Sequence, residues 1–153
     1  VKAVSLNGNF VLNFGPDGKG NIRSEETKLA KEIGDWMKIN KEAIYGTSHS
    51  TVQKQDWGYF TQKGNKLYMC VFNRPINNLL KIEIPKGGII PMKAYFLENN
   101  QETEIQNAGK NKRNSSLYHV AVPASYKTDR PFVIVLEMQE NTKEEGEYQQ
   151  AKI

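Results

Sequence analysis

The sequence predicts a mainly β protein, an antiparallel sandwich of about seven strands preceded by a single β-α unit. Three observations carry this. From Trp57 onward, short apolar runs recur between Gly-, Pro- and Asn-rich turns, with no helical stripe among them. Before Trp57 there is one apolar run, Phe10–Phe14, followed by one amphipathic helix. That run does not alternate, which is the pattern of a parallel strand covered on both faces, yet no later segment repeats the strand-helix order. Residues 1–46 therefore read as the last β-α unit of a larger α/β domain whose remainder lies upstream, and the chain reads as a fragment.

Taken in order, Phe10–Phe14 is the strand and "NFGPDGKGN", residues 13–21, is the turn after it. Its glycines and Lys19 suggest a phosphate cradle, but neither G-x-x-x-x-G-K-[ST] nor G-x-G-x-x-G is present, and Pro16-Asp17-Gly18 is a strong turn signal. Ser24 is the expected N-cap of a helix carrying Glu25 and Glu26 in its first turn, running without proline to Tyr45 and stopped by Gly46. Its apolar stripe is Leu29, Ile33, Trp36, Met37 and Ile44, with Gly34 beside it where a close neighbour would fit. The domain boundaries follow: 1–47 for the β-α unit, 48–56 for a linker, 57–140 for the sandwich and 141–153 for a polar tail.

Within the sandwich, Trp57–Thr61 and Lys66–Phe72 flank "QKGN" as a hairpin. Leu79–Ile84 alternates. Ile89–Leu97 contains Pro91, which argues for an edge or a bulge. Glu102–Gln106, Leu117–Val122 and Phe132–Met138 complete the set, separated by "NAGKNKRNSS" and "PASYKTDRP".

Composition excludes several functions. With 38% hydrophobic and 25% charged residues the 153-residue chain is globular in character, and no apolar run approaches the ~18 residues of a membrane span. The net charge of +4 is dispersed among acidic residues, so no nucleic-acid face is expected, and Lys110–Arg113 reads as a solvated loop tip. The single cysteine, Cys70, lies in an apolar strand and is expected buried rather than nucleophilic. His49 and His119 lack metal-ligand spacing, so neither metal nor cofactor is expected. Glu25, Glu26, Glu98, Glu102 and Glu104 form no credible acid-base pair, and no catalytic residue is assigned. Among the aromatics, Phe60 and Phe72 are expected in the core. Trp57 and Tyr59 are candidates to stack on a sugar.

Residues 7–47, "NGNFVLNFGPDGKGNIRSEETKLAKEIGDWMKINKEAIYGT", resemble the end of the catalytic domain of family 29 α-L-fucosidases. The strand "GNFVLNFGPDG", the helix ending "IGDWMKINKEAIYGT" and the entry "WGYFTQKGNKLYMCVFNRP" agree in order and spacing with that family; the likeness is densest over 7–75 and loose after Pro91. It implies that the β-α unit is the last of a (β/α) barrel, that the upstream barrel is the chain's partner, and that the parent releases α-L-fucose from glycans with retention. The family's nucleophile and acid/base lie on earlier barrel strands that this chain lacks, so the chain is expected to be inactive alone. Asn13 and Phe14, at the end of the last strand, would stand at the pocket rim, and with Trp57 they are the candidate substrate-binding residues. The resemblance also implies an exported parent. The alternative is a non-catalytic carbohydrate-binding or interaction module.

Overall fold

The computed structural model describes residues 1–139. It contains two helices, α1 (Lys2–Ser5) and α2 (Ser24–Asn40), then a 3-10 turn over Lys41–Ala43 and eight strands. The strands are β1 (Gly58–Lys63), β2 (Lys66–Val71), β3 (Leu79–Ile84), β4 (Pro91–Phe96), β5 (Glu102–Thr103), β6 (Ile105–Lys110), β7 (Ser116–Ala121) and β8 (Phe132–Met138). They form a five-stranded sheet in the order β1-β2-β8-β4-β5 and a three-stranded sheet in the order β3-β7-β6, with every pairing antiparallel. The expected tail, 141–153, lies outside the described residues.

The two sheets enclose the main core. Leu67, Met69 and Val71 of β2, Ile134 and Leu136 of β8 and Phe96 of β4 face Leu80 and Ile82 of β3 and Val120 of β7. The outer face of the larger sheet is covered too. Tyr68, Cys70, Tyr95, Val133 and Val135 form a second cluster with Ala43, and Trp36 packs on it. Coverage of both faces explains why β2 and β8 read as unbroken apolar runs, whereas β3, with one face in water, alternates.

Turn chemistry sets the registers. Lys63 pairs with Lys66 across a two-residue turn, and Gly64 takes φ +57°, the positive value such a turn needs at its first central position. Gly58 is required for another reason: a Cβ there would stand 2.0 Å from the Cys70 carbonyl oxygen on the paired strand. Pro91 starts β4, and the register with β8 shifts between Pro91 and Lys93, the bulge that a proline next to an inner strand demands.

Four details differ from the sequence reading. Glu102–Gln106 is divided into β5 and the start of β6, and β6 extends to Lys110 through residues read as loop, ending in a bulge against β7. Arg23 is the residue before the helix and Ser24 its first helical position; Arg23 instead bonds Glu26 at 2.6 Å and accepts the Thr27 N–H at 3.0 Å. Gly34 faces open space, so no element approaches it closely. The largest difference is Phe10–Phe14, which forms no strand. Among the described residues, Asn9–Gly15 make no backbone hydrogen bond, and Phe10 and Val11 are 71% and 88% exposed. A parallel strand is held by neighbouring strands, and the described residues supply none beside it.

Candidate functional site at the N-terminal unit

The turn after the apolar run is built around one carboxylate. Asp17 Oδ1 accepts the backbone N–H groups of Lys19 and Asn21, each at 2.8 Å, while the Asp17 N–H bonds the Asn21 carbonyl at 2.8 Å. Those N–H groups, Asn21 first, hold the exposed Asp17 carboxyl below its ordinary value. Amides that would cradle a phosphate are thus already bonded to a carboxylate, and the loop is a turn. It returns the chain through the Pro16–Ile22 bridge into α2.

The irregular segment before the turn, α1 and α2 border a cleft of about 830 Å³. Phe10 and Leu12 line it from the irregular segment, Leu29, Ile33 and Trp36 from α2, and Tyr45 and Phe72 from the sandwich side. Trp36 fixes one wall because its Nε1–H donates to the Pro131 carbonyl at 2.7 Å. The 3-10 turn after α2 is tied to the sheet by Glu42, which accepts from the Tyr68 hydroxyl at 2.7 Å and the Lys66 ammonium at 3.0 Å. The Tyr68 hydrogen bond, then that from Lys66, hold the Glu42 carboxyl below its ordinary value, and burial raises Tyr68. Thr61, fully buried, donates to the Ala43 carbonyl at 2.7 Å and closes the same junction.

Among the described residues Glu32 is the one carboxylate lining the cleft. Retaining glycoside hydrolysis needs two, about 5 Å apart. The cleft can therefore bind and orient apolar surface but has no acid-base pair of its own. Elsewhere several carboxylates are engaged structurally. Lys38 and Lys31 bring Asp35 down to about 2, Glu102 pairs with Lys93 at 2.7 Å, and Glu98 accepts from the Tyr126 hydroxyl at 3.2 Å. Among the described residues no three His, Cys, Asp or Glu side chains are grouped as metal ligands, and no helix is long and apolar enough to cross a membrane.

The three sequence-predicted binding residues are not brought together. Asn13 is exposed and Phe14 half-buried, and neither lines the cleft. Trp57 is a correction. Its ring is 4% exposed in the core between the sheets, set edge-on to Phe60 at 5.1 Å, and its Nε1–H donates to the Lys81 carbonyl at 2.9 Å. An indole so enclosed offers no face to a sugar. It joins the first strand of one sheet to the other sheet. Phe72, expected in the core, is 45% exposed on the cleft wall, whereas Phe60 is buried. Cys70 is buried and its thiol pushed up to about 12, the inert cysteine its strand setting suggested. His119 lies half-buried in β7 between Lys81 and Gln106, and Lys110 ends β6 at a turn organised by Asn111, whose Oδ1 accepts the Arg113 and Ser115 N–H groups at 2.9 and 3.0 Å. Sequence reasoning missed Tyr45 and Phe72 as cleft residues. Phe72 ends an apolar run and carries no mark of its exposure, and the Trp36–Pro131 bond spans 95 residues.

Comparison with known proteins points one way. The family model described as Alpha-L-fucosidase matches residues 1–42. An alpha-L-fucosidase of Dictyostelium discoideum is 37% identical over 92 residues, which is 58% of this chain and 20% of that protein. Tissue alpha-L-fucosidase of Homo sapiens is 36% identical over 90 residues, 56% of this chain and 19% of that protein. A GH29 alpha-L-fucosidase structure from Bacteroides thetaiotaomicron superposes over 99% of this chain and 31% of that one, with TM-score 0.79 and 36% identity. A second structure of a GH29 enzyme from that organism, a trapped covalent intermediate with 2-fluoro-fucosyl fluoride, has TM-score 0.79 and 38% identity over 90% of this chain and 30% of that one. The chain spans about a fifth of the length of these curated relatives. In sequence and in fold, the chain belongs with the family 29 α-L-fucosidases, matching the C-terminal part of those proteins.

Proposed function

We propose that this chain is the C-terminal part of a retaining α-L-fucosidase, inactive alone, in which residues 1–47 complete a catalytic barrel and the sandwich supports it. The observation that carries this reading is the unpaired apolar segment Phe10–Leu12 beside the exposed stripe Leu29 and Ile33. Burying such side chains is worth roughly 1.5–3 kcal/mol each, and the free N–H and C=O groups of Asn9–Gly15 fit the ladder of a neighbouring parallel strand. Both needs would be met by the remaining barrel strands.

In that assembly the segment becomes the last strand, and its C-terminal end, Asn13 to Gly15, stands at the pocket rim, where barrel chemistry is done. Phe14 would pack on the apolar side of the fucosyl ring, and Asn13 would hold a neighbouring loop. The covalent intermediate trapped in the Bacteroides relative accords with double displacement: a carboxylate displaces the leaving group, then water, activated by the second carboxyl, releases fucose with retained configuration. Both carboxylates come from the upstream barrel. This chain's part is to close the sheet, present the rim and hold α2 through Trp36 and Glu42. A fucosylated glycan is the expected substrate of the assembled enzyme, and an exported location suits such a substrate.

The test is complementation. The 153-residue chain, a barrel segment from a family relative, and their mixture are assayed with an aryl α-L-fucoside. Hydrolysis is expected in the mixture and absent from the chain alone. Hydrolysis by the pure chain, or a barrel segment fully active without binding it, would overturn the reading.

A further inference from the structure

A second cleft, of about 520 Å³, opens between α1 and β1. Its lining differs in kind from that of the larger one. Lys2, His49 and Lys54 line it together with Asn7, Ser50 and Tyr59, and among the described residues no Asp or Glu does. Among the described residues neither Lys2 nor Lys54 takes part in an ion pair. Two lysines without such a partner lining one concavity, with no carboxylate among the described lining residues, concentrate positive potential there.

The walls are held before any ligand arrives. Ser48 is bridged to β1 by two backbone bonds with Gln62, 2.8 and 3.0 Å, which fixes the chain entering His49. On its other side Ser50 Oγ accepts the Val52 N–H at 3.0 Å. Asn7 is set in the left-handed region, φ +61°, by its own N–H bond to the Val4 carbonyl at 2.9 Å. Tyr59 is half-buried, braced edge-on by Phe72 at 6.0 Å, with the Lys54 ammonium 5.9 Å from its ring centroid. A phenol ring beside an ammonium suits a ligand with an apolar C–H face and an anionic substituent, and the volume is of small-ligand size.

We propose that this cleft binds an anionic saccharide, a sugar unit bearing a sulfate or carboxylate, with Lys2, Lys54 and His49 facing the anion and Tyr59 the ring. The anionic part rests on the lining alone. The saccharide part also rests on the glycan-processing reading above. Neutral sugars gain little here, because the site's unpaired charges would be left unanswered.

Isothermal titration of the 153-residue chain with galactose 6-sulfate, glucuronic acid, neutral galactose and inorganic sulfate tests it, each at low and high salt. Saturable binding of one or both anionic sugars that weakens with salt is expected, and which of the two binds identifies the anion. Lys54→Met and Lys2→Met, both surface changes, should each weaken binding about tenfold, the loss of one charged hydrogen bond, with unchanged melting. Tyr59→Leu should weaken sulfated galactose and leave inorganic sulfate unaffected. Equal binding of neutral galactose, sulfate bound as tightly as its sugar ester, no binding of any anion, or indifference to both lysine changes would each overturn the proposal. These outcomes are independent of complementation, so failure of one does not imply failure of the other.

Discussion

The N-terminal unit and the sandwich solve the same problem unequally. In β2 every residue from Leu67 to Val71 is buried, and β8 is nearly as enclosed. In α2, a helix of 17 residues, the sole buried residue is Asn40, whose side chain donates to the Trp36 carbonyl at 3.1 Å. Phe10, Val11, Leu29 and Ile33 are as apolar as anything in the core and stand in water. The sandwich therefore has a closed core, whereas residues 1–47 are fastened to it at a few points, chiefly Trp36, Ala43 and Glu42. Stability and partner binding should accordingly be separable by mutation.

The widest separation is expected at Phe96, 1% exposed and stacked on Tyr126 at 4.2 Å. Phe96→Ala should cost about 3–5 kcal/mol, measured by urea unfolding, and a loss under 1 kcal/mol would show that the sandwich is not the stable part. Next comes Gly58→Ala, where the new Cβ must push the β1–β2 pair apart; about 1–3 kcal/mol is expected, with amide exchange accelerating in that hairpin first. Trp57→Phe removes the bond to the Lys81 carbonyl and should lower stability by about 1–2 kcal/mol. Calorimetry with L-fucose should find no change in affinity, since the ring is enclosed.

Smaller effects probe the junction. Glu42 has a folded-state carboxyl value below its ordinary 4.5, so its contribution is present above that pH and is lost as pH falls through the lower folded value. Its side chain is 42% exposed, which limits the effect to about 1 kcal/mol or less. Melting curves from pH 7 to 3 should fall less steeply in Glu42→Gln, and parallel curves would remove Glu42 from the junction. The smallest effect on the chain itself is expected from Leu29→Ala, within about 0.5 kcal/mol. That same change should impair complementation by the barrel segment, and intact complementation would show that the α2 stripe does not face the barrel.

The pattern of residues by itself determined the sandwich, because alternation, proline and turn chemistry are local. Leu79–Ile84 and Phe132–Met138 are strands with the limits their apolar runs suggest, and Pro91 marks its bulge. Cys70 was legible for the same reason, its neighbours being continuously apolar. The likeness over residues 7–75 carried the family.

What only the tertiary structure decided is which apolar surfaces find partners. Trp57 and Phe72 look alike in sequence, both aromatic at strand ends, yet one is sealed between sheets and the other faces a cleft. Phe10–Phe14 has a strand's composition and no strand's hydrogen bonds, because a parallel strand exists only beside neighbours. Lys2 and Lys54 meet in one cleft although 52 positions separate them in the sequence. Burial and convergence depend on contacts distant in sequence, which local periodicity does not encode.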